Sequence, residues 1–327
     1  MNILIALKSV IPALKYGGIE RAVWYLGKEL SKSGHQVTFL AAPGSYCDFA
    51  NIIPFETGKR LNDHIPDDID IIQFEFIPEE EVNKPYVVNL QINSPADAIL
   101  DLNTIFVSKN HANRYGSESY VYNGMDWDDY GKPDFVSRRN YFHFLGKAAW
   151  RVKNVKGAIH TVQHLKGEKL KVLGGTRLNI KMGFRLTLDP NIRFYGMVGG
   201  EQKYNLLKRS KGLIFPVRWH EPFGIAITES LYFGCPVFGT PYGSLPELVP
   251  NELGHLSSNL VDLAEAVRNV DSYSREKCHE YARDVHNSSV MADAYLVKYE
   301  KVLNGEKLNL TPPKLVALQE EKFLPWS

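Results

Sequence analysis

Short strand-like runs alternate with helical segments along this chain, and the alternation occurs twice. The first series predicts a helix at 19–33 and strands at 2–7, 36–41, 69–75, 86–90, 104–107 and 119–122. The second series follows a polar stretch at 123–140 and predicts strands at 141–145, 169–173, 191–195, 212–216 and 236–239. Strands that alternate with helices favour parallel sheets covered by helices. The sequence therefore predicts an α/β fold with two sheet-containing domains.

Charge is divided unevenly between the two series. Residues 1–131 contain 10 Lys and Arg against 18 Asp and Glu, a net charge of −8, whereas residues 132–250 contain 19 against 7, a net charge of +12. The remaining residues bring the total to only +1, which disfavours a nucleic-acid partner. The basic middle segment is suited to an anion such as a phosphate.

The cysteine spacing and the lengths of the apolar runs disfavour several classes of protein. The three cysteines, Cys47, Cys235 and Cys278, are far apart and form no CxxC pair, which disfavours a disulfide scaffold and a zinc knuckle. No uncharged apolar stretch reaches the roughly 18 residues that a transmembrane helix needs, and no signal peptide is recognisable. We therefore expect a cytoplasmic protein without a transmembrane segment.

Gly17 and Gly18 lie between the first predicted strand and the first helix. Open parallel sheets bind ligands at this edge, and a helix N-terminus favours an anion. The alternative is a tight turn with no ligand. The pair lacks the GxGxxG spacing of a dinucleotide-binding loop, which disfavours a dehydrogenase.

Lysines gather where the second series begins. Lys147 follows the strand at 141–145, and Lys153 and Lys156 stand at the start of the next predicted helix. Lysines at the mouth of such a crevice would neutralise a diphosphate and stabilise the charge of a leaving phosphate. The alternative is that they are solvated lysines on an exposed helix start.

Two glutamates, Glu221 and Glu229, enclose seven residues across a loop and the start of a predicted helix. The backbone amides at 224–226 can bind phosphate, and Glu229 can accept hydrogen bonds from sugar hydroxyls. A carboxylate on this apolar helix needs a partner, which favours a function over a solvated position. Eight helical residues would separate the carboxyls by about 12 Å, so the acid and nucleophile of a glycosidase are disfavoured.

In this order, the segments resemble the retaining glycosyltransferases of family 4. The resemblance covers nearly the whole chain and rests on Tyr16-Gly17-Gly18-Ile19-Glu20-Arg21, Gly34-His35-Gln36-Val37-Thr38, Val121–Asp126, Phe144–Lys153, Leu173-Gly174-Gly175, Glu221–Glu229, Gly234–Val237 and Gly243–Glu247. It implies the GT-B fold, in which two Rossmann-like parallel-sheet domains face each other across a cleft. We expect an acceptor-side domain at 1–133, a donor domain at 134–304 and a tail at 305–327 that returns to the first domain.

The resemblance also implies roles for individual residues. Glu229 would hold the ribose of a nucleotide-sugar donor, and Glu221 with the amides of Phe223, Gly224 and Ile225 would contact the transferred sugar and the diphosphate. Lys147 and Lys153 would stabilise the leaving charge, with Lys156 as second choice to Lys153. Gly17 and Gly18 would approach the donor phosphates from the other domain.

The expected activity is transfer of a hexose-type sugar from a UDP- or GDP-sugar to an acceptor hydroxyl, with retention and without a metal or other cofactor. The acceptor would be a glycan, a lipid-linked or a small molecule, in surface polysaccharide or glycolipid assembly, and peripheral membrane contact is compatible with this. Where many relatives carry histidine after the fourth and fifth strands, this chain has Gln73, Glu75, Gln91 and Asn93. No general base is therefore predicted. The alternatives are a nucleotide-sugar epimerase of GT-B fold and a catalytically silent nucleotide-binding protein.

Overall fold

The computed structural model describes residues 1–13, 17–180, 182–316, 319 and 321–327. They form two compact units. The first contains Met1–Asp126 and His286–Leu318, and the second contains Trp127–Val285 and Gln319–Ser327. Tyr16 of the Tyr-Gly-Gly motif lies outside the described residues.

Within the described residues, the first unit is built on a six-stranded parallel sheet in the order β3-β2-β1-β4-β5-β6. Its strands are β1 (Asn2–Ala6), β2 (Gln36–Ala41), β3 (Asn51–Pro54), β4 (Ile71–Phe74), β5 (Tyr86–Leu90) and β6 (Thr104–Phe106). Its helices are α1 (Gly18–Lys32), α2 (Lys109–Arg114) and α9 (Ser288–Leu303), with a 3₁₀ turn at Leu61–His64. This strand order is that of a Rossmann-type sheet.

The second unit contains another six-stranded parallel sheet, ordered β11-β8-β7-β12-β13-β14, and a separate two-stranded hairpin, β9-β10. The strands are β7 (Phe142–Leu145), β8 (Leu170–Leu173), β9 (Leu178–Asn179), β10 (Arg185–Leu186), β11 (Ile192–Phe194), β12 (Leu213–Phe215), β13 (Val237–Gly239) and β14 (Gly254–Leu256). The helices are α3 (Val155–Gln163), α4 (Gly200–Lys208), α5 (Ile225–Tyr232), α6 (Leu245–Leu248), α7 (Leu260–Arg268) and α8 (Arg275–Val285). Shorter 3₁₀ turns lie at Trp127–Tyr130, Arg151–Lys153 and Val270–Ser272.

The central strand β1 shows why the sequence folds into a covered sheet. Ile3, Leu4 and Ile5 are all fully buried, so both faces of the strand are covered, as a continuous apolar run in a parallel sheet requires. Helix α1 packs closely on strand β2 because it has a glycine at the contact: a Cβ on Gly27 would lie 2.4 Å from the ring of Phe39. The predicted α/β fold with two parallel sheets is confirmed.

Several local predictions differ from the structure. The predicted strand at 119–122 is wrong: it makes only an isolated bridge, between Tyr120 and Phe106. Strands β3 and β14 and the hairpin β9-β10 were not predicted. Each has at most four residues, too short for a periodic pattern to be distinguished from a loop.

The units also group residues differently from the predicted bounds of 133 and 304. Trp127 belongs to the second unit because its ring stacks on Tyr232 at 4.3 Å between centroids and its indole N–H donates to Ala282 O. Helix α9 belongs to the first unit, where Tyr299 donates to Gln73 Oε1. The tail is divided between the units: Lys314 N donates to Tyr115 O in the first, whereas Ser327 O accepts from Leu260 N in the second.

Among the helices of the described residues, none is both long and apolar enough to cross a membrane.

Three buried histidines predict how stability depends on acid. Burial lowers the pKa of His111 and of His143 to about 3 and that of His286 to about 4. Below pH 6.5 the unfolded chain binds protons that the native protein does not, so the free energy of unfolding falls as pH falls towards 4. Each histidine contributes up to about 1.4 kcal/mol per pH unit.

Urea unfolding at a series of pH values between 4.5 and 7.5 measures this slope. The variant His143→Gln keeps hydrogen-bonding groups for Ser210 and Ser230, which contact the imidazole at 2.6 and 2.9 Å. The free energy of unfolding of this variant should depend less steeply on pH, because one histidine no longer takes up a proton on unfolding. A slope equal to that of the wild type would contradict the assignment to His143.

Candidate functional site

The candidate site of the second unit lies where its strand order reverses. Strand β7 has β8 on one side and β12 on the other, so the loops that follow β7 and β12 diverge to opposite faces of the sheet. Such a switch point leaves a crevice at the carboxyl ends of the strands, where α/β proteins bind ligands. The loop after β7 carries Lys147 and Lys153, and the loop after β12 carries Glu221.

Lys153 and Glu221 meet at this point. The Nζ of Lys153 lies 2.6 Å from Glu221 Oε2, and the indole N–H of Trp219 donates to the same oxygen at 2.8 Å. The two charged side chains are 12% and 6% exposed, which strengthens their interaction relative to one on the surface. The Lys153 ammonium also lies 5.0 Å from the centre of the Trp219 ring. Sequence reasoning missed Trp219, since nothing in the spacing distinguishes it.

Backbone contacts hold the two loops against each other. The side chain of Asn154 donates to Pro216 O at 2.9 Å, and Arg218 N donates to Val152 O at 2.7 Å. Asn154 has a left-handed backbone conformation, with φ of 54°, and caps helix α3 by accepting from Gly157 N. Lys153 is therefore held by a fixed turn and not by a mobile loop end.

A third loop, after β13, supports Glu221 from the other side. A Cβ on Gly243 would lie 2.2 Å from Glu221 N, and the φ of Gly243 is +64°, so any other residue would be strained here. The neighbouring Ser244 donates its N–H to Glu221 O and its hydroxyl to Phe223 O. The predicted Gly243–Glu247 motif thus acts by fixing the backbone of Glu221.

The segment between the two glutamates brings a helix N-terminus to the same crevice. Phe223 is buried, Gly224 has a positive φ of 82° and is the N-cap, and Ile225 begins helix α5. Amides in the first turn of a helix have no partner within the helix and can bind an anion. Phe223, Gly224 and Ile225 are therefore placed beside Glu221 by chain continuity.

Glu229 has a different environment. It lies in the middle of helix α5 with its side chain 2% exposed, and its Oε1 is 2.5 Å from Nζ of Lys203, which is 4% exposed. Tyr130 donates to the same oxygen at 2.7 Å. The structure thus provides the partner that a buried carboxylate requires. Lys203 was missed, although its position four residues before the buried Leu207 on helix α4 places both on one face.

The remaining predicted lysines lie apart from the Lys153–Glu221 pair. Lys147 Nζ is 5.1 Å from the centre of the Trp150 ring, and that ring contacts Trp219 edge to face. Lys156 lines a separate cavity of about 320 Å³ together with Trp150, Arg151 and Arg218. Lys147 is therefore connected to the pair through two aromatic rings, whereas Lys156 faces another pocket.

Gly17 and Gly18 lie in the first unit, at the equivalent edge of its sheet. Gly17 is the N-cap of helix α1, and a Cβ there would lie 2.6 Å from Glu20 Oε2 and 2.7 Å from Ala13 Cβ. Its φ of +153° is also one that other residues rarely adopt. Gly17 therefore has a structural reason that is independent of any ligand.

Polar groups gather around Glu75, at the end of β4. Its carboxylate accepts from Gln73 at 2.6 Å and from Asn89 at 3.1 Å. Burial, with a smaller contribution from the nearby Glu20 carboxylate, raises the pKa of Glu75 to about 7, although the hydrogen bonds that Glu75 accepts oppose the shift. Because β4 and β1 are neighbours, this cluster occupies the switch point of the first sheet, where relatives of the resembled family often carry histidine.

Comparison with known proteins identifies the second unit. The sequence family Glycosyl transferases group 1 matches residues 126–285, which coincide to within one residue with the segment Trp127–Val285 of that unit. The second unit therefore carries a glycosyl transferases group 1 domain. The narrower assignment to family 4 stays a prediction.

Solved structures establish the fold of the chain. It is similar to AviGT4, a glycosyltransferase involved in avilamycin A biosynthesis, with a TM-score of 0.75 and 19% identity, over 93% of this chain and 98% of that one. It is similar to sucrose-phosphate synthase from Thermosynechococcus elongatus, with a TM-score of 0.70 and 14% identity, over 93% and 100% of the two chains. The Anabaena protein HepE in complex with UDP-glucose gives a TM-score of 0.64 and 16% identity, over 93% and 100%. The predicted GT-B class of fold is confirmed.

One curated relative also matches in sequence. It is an "Uncharacterized 41.2 kDa protein in cps region" from Klebsiella pneumoniae, 28% identical over 117 residues, which are 34% of this chain. The match spans only 32% of that relative.

The buried Lys203–Glu229 pair predicts a large loss of stability when it is broken. Lys203→Ala leaves a carboxylate buried without its ammonium partner and should reduce the free energy of unfolding by about 3–5 kcal/mol. Lys211 offers a matched control, because its Nζ lies 2.6 Å from Glu168 Oε1 but both side chains are about one quarter exposed. Lys211→Ala should cost about 0–1 kcal/mol.

Chemical denaturation of the two variants and the wild type gives the comparison. A double variant, Lys203→Met with Glu229→Gln, removes both charges and should recover most of the loss. Equal losses for Lys203→Ala and Lys211→Ala would show that burial does not strengthen this pair.

Proposed function

We propose that this protein is a retaining glycosyltransferase that moves a hexose-type sugar from a UDP- or GDP-sugar to an acceptor hydroxyl, without a metal. The observation that supports this most directly is the meeting of Lys153, Glu221 and the N-terminus of helix α5 at a sheet switch point. These residues lie inside a glycosyl transferases group 1 domain, which supports glycosyl transfer as the class of reaction.

The donor would bind with its diphosphate between Lys153 and the backbone amides of Phe223, Gly224 and Ile225 at the N-terminus of helix α5. A cation and a helix N-terminus both stabilise negative charge, and both are fixed before the ligand arrives. In the described part of the chain, the two donors to the Glu221 side chain both bond Oε2, which leaves Oε1 for a hydroxyl of the transferred sugar. Lys147 would extend the positive field at the crevice, Lys156 would add to it only from the neighbouring cavity, and Glu229 would act on the ribose side of the donor.

In the proposed reaction, the bond between the sugar C1 and the diphosphate oxygen breaks as the acceptor oxygen bonds C1 on the same face. The proton of the acceptor hydroxyl passes to the departing diphosphate, so the anomeric configuration is retained and no metal is needed. The role of Lys153 is to stabilise the charge that collects on the leaving group. Glu221 keeps that ammonium in position.

The first unit would contribute to acceptor binding. Glu75 places a partly exposed carboxyl at the switch point of its sheet, and a carboxyl hydrogen-bonds the hydroxyls of a polyol. The buried amides of Gln73 and Asn89 hold this carboxyl in position. The sequence match to a protein of a cps region is consistent with an acceptor in surface polysaccharide assembly.

Nucleotide binding tests the donor half of this proposal. UDP or GDP should raise the melting temperature equally with and without EDTA, because a ligand at one hundred times its Kd stabilises by about 2.7 kcal/mol. ADP, CMP and NAD should have little effect. Lys153→Gln should weaken the binding of the effective nucleotide about tenfold or more, whereas Lys166→Gln, which removes an exposed lysine of the same unit, should not.

Four outcomes would contradict the proposal. Stabilisation by NAD alone, or by no nucleotide, would contradict a nucleotide-sugar donor site. Donor binding without sugar release to any acceptor would favour the catalytically silent protein, and change of the sugar configuration without an acceptor would favour the epimerase.

The raised pKa of Glu75 gives a test of the acceptor half. A carboxyl that titrates near pH 7 is protonated below that pH and ionised above it, so the KM for the acceptor should fall as pH rises from 6 to 8. Glu75→Gln should raise the acceptor KM about tenfold, remove this pH dependence and leave the donor KM unchanged. Steady-state kinetics of both substrates across this range decide the point. An equal increase in both KM values would contradict a role on the acceptor side.

A further inference from the structure

The hairpin β9-β10 of the second unit stands apart from the six-stranded sheet. It is antiparallel, with Arg185 opposite Asn179 and Leu186 opposite Leu178. Side chains alternate between the two faces of a strand, and directly opposite residues share a face. Leu178 and Leu186 therefore lie on one face of the hairpin, and Asn179 and Arg185 lie on the other.

The polar face of the hairpin points towards the protein. Arg185 is buried, its guanidinium lies 4.7 Å from the centre of the Phe194 ring, and it donates to Thr176 O at 2.9 Å. Arg177, the residue immediately before the hairpin, donates to Ile192 O, and Thr187 is buried. These contacts fix the orientation of the hairpin.

The apolar face is left in solvent. Six large apolar side chains within eleven residues are between 48% and 78% exposed, namely Leu178, Ile180, Met182, Phe184, Leu186 and Leu188. A hairpin on a water-soluble surface normally turns its apolar face inwards and its polar face outwards. The reversed arrangement forms a contiguous exposed apolar patch, which is typical of an interaction surface.

Cations adjoin this patch. The cavity of about 320 Å³ in the second unit is lined by Met182 and Phe184 of the hairpin and by Arg151, Lys156 and Arg218. Apolar side chains with basic groups at their base are suited to a surface that is apolar inside and anionic at its boundary. A leaflet containing anionic phospholipids has both properties, and it accepts a small apolar tip without requiring a complementary pocket.

We propose that the six exposed apolar side chains of the hairpin insert into the interface of a membrane that contains anionic phospholipids, while Arg151 and Arg218 contact the headgroup phosphates. This inference does not depend on the glycosyltransferase proposal, since it rests on the burial pattern of the hairpin and on the cations beside it. A peripheral attachment of this kind would hold the second unit at a lipid surface.

Vesicle co-sedimentation of the full chain tests the apolar contact. The wild type should bind vesicles of phosphatidylcholine mixed with phosphatidylglycerol, and bind more weakly to phosphatidylcholine alone and at high salt. The double variant Ile180→Ser with Phe184→Ser should bind the mixed vesicles at least about tenfold more weakly. Val136→Ser with Val261→Ser is the matched control, because both valines are exposed in the same unit, and it should bind like the wild type.

The cationic contribution has its own test. Arg151→Gln should weaken binding to the mixed vesicles about fivefold and reduce its salt dependence, whereas Arg193→Gln, at an exposed arginine on β11, should not. Unchanged melting temperatures would show that all variants are folded, as their exposure implies.

Three results would overturn the proposal. The first is that the wild type does not bind mixed vesicles, and the second is that the hairpin variant binds them as well as its valine control does. The third is that the wild type binds no vesicles and is an oligomer in light scattering, whereas the hairpin variant is a monomer. The last result would identify the patch as a contact between copies of this chain. Because nucleotide stabilisation is measured without vesicles, failure here is distinguishable from failure of the proposed donor site.

Discussion

Parallel pairing within each sheet is the constraint on which the other features depend. Every strand of a parallel sheet must be followed by a crossover, so the loops that leave the carboxyl ends gather at one edge. In the second unit this brings Lys153, after β7, to Glu221, after β12, although 68 positions separate them. In the first unit the same topology places Glu75 and the N-terminus of α1 at neighbouring strands. Both units therefore carry their candidate groups where the strand order reverses.

Glu221 and Glu229 belong to one short motif but meet different physical demands. Three loops fix Glu221. Lys153 and Trp219 contact its carboxylate, and Gly243 packs against its backbone nitrogen. Glu229 is enclosed within the unit and neutralised by Lys203. A buried ion pair contributes little net stability but is costly to break, so substitutions at Glu229 affect folding as well as any ligand. For this reason the nucleotide-binding experiment relies on Lys153.

The distribution of polarity distinguishes the two units further. The acidic first unit contains a carboxyl whose pKa burial raises to about 7, whereas the basic second unit combines the lysines at its switch point with an apolar hairpin that faces solvent. A diphosphate, a polyol and an anionic lipid surface require different surroundings, and the sites proposed for them involve different residues. The tests of donor binding, acceptor binding and membrane binding therefore give separate results.

The sequence alone determined the α/β class, the two parallel sheets and the bounds of elements such as β2 and β5, because buried strands and amphipathic helices have local periodic patterns. It also singled out Glu221, Lys153 and Gly224 by the spacing of their motifs. Only the tertiary structure decided that Lys203 and Tyr130 pair with Glu229, that Trp219 joins Glu221, and that α9 packs with the first unit. Lys203, Tyr130 and α9 are distant in sequence from their partners, so these pairings depend on which elements the sheet topology brings together. Trp219 is only two residues from Glu221, but its contact depends on the conformation of their loop, for which no local pattern exists.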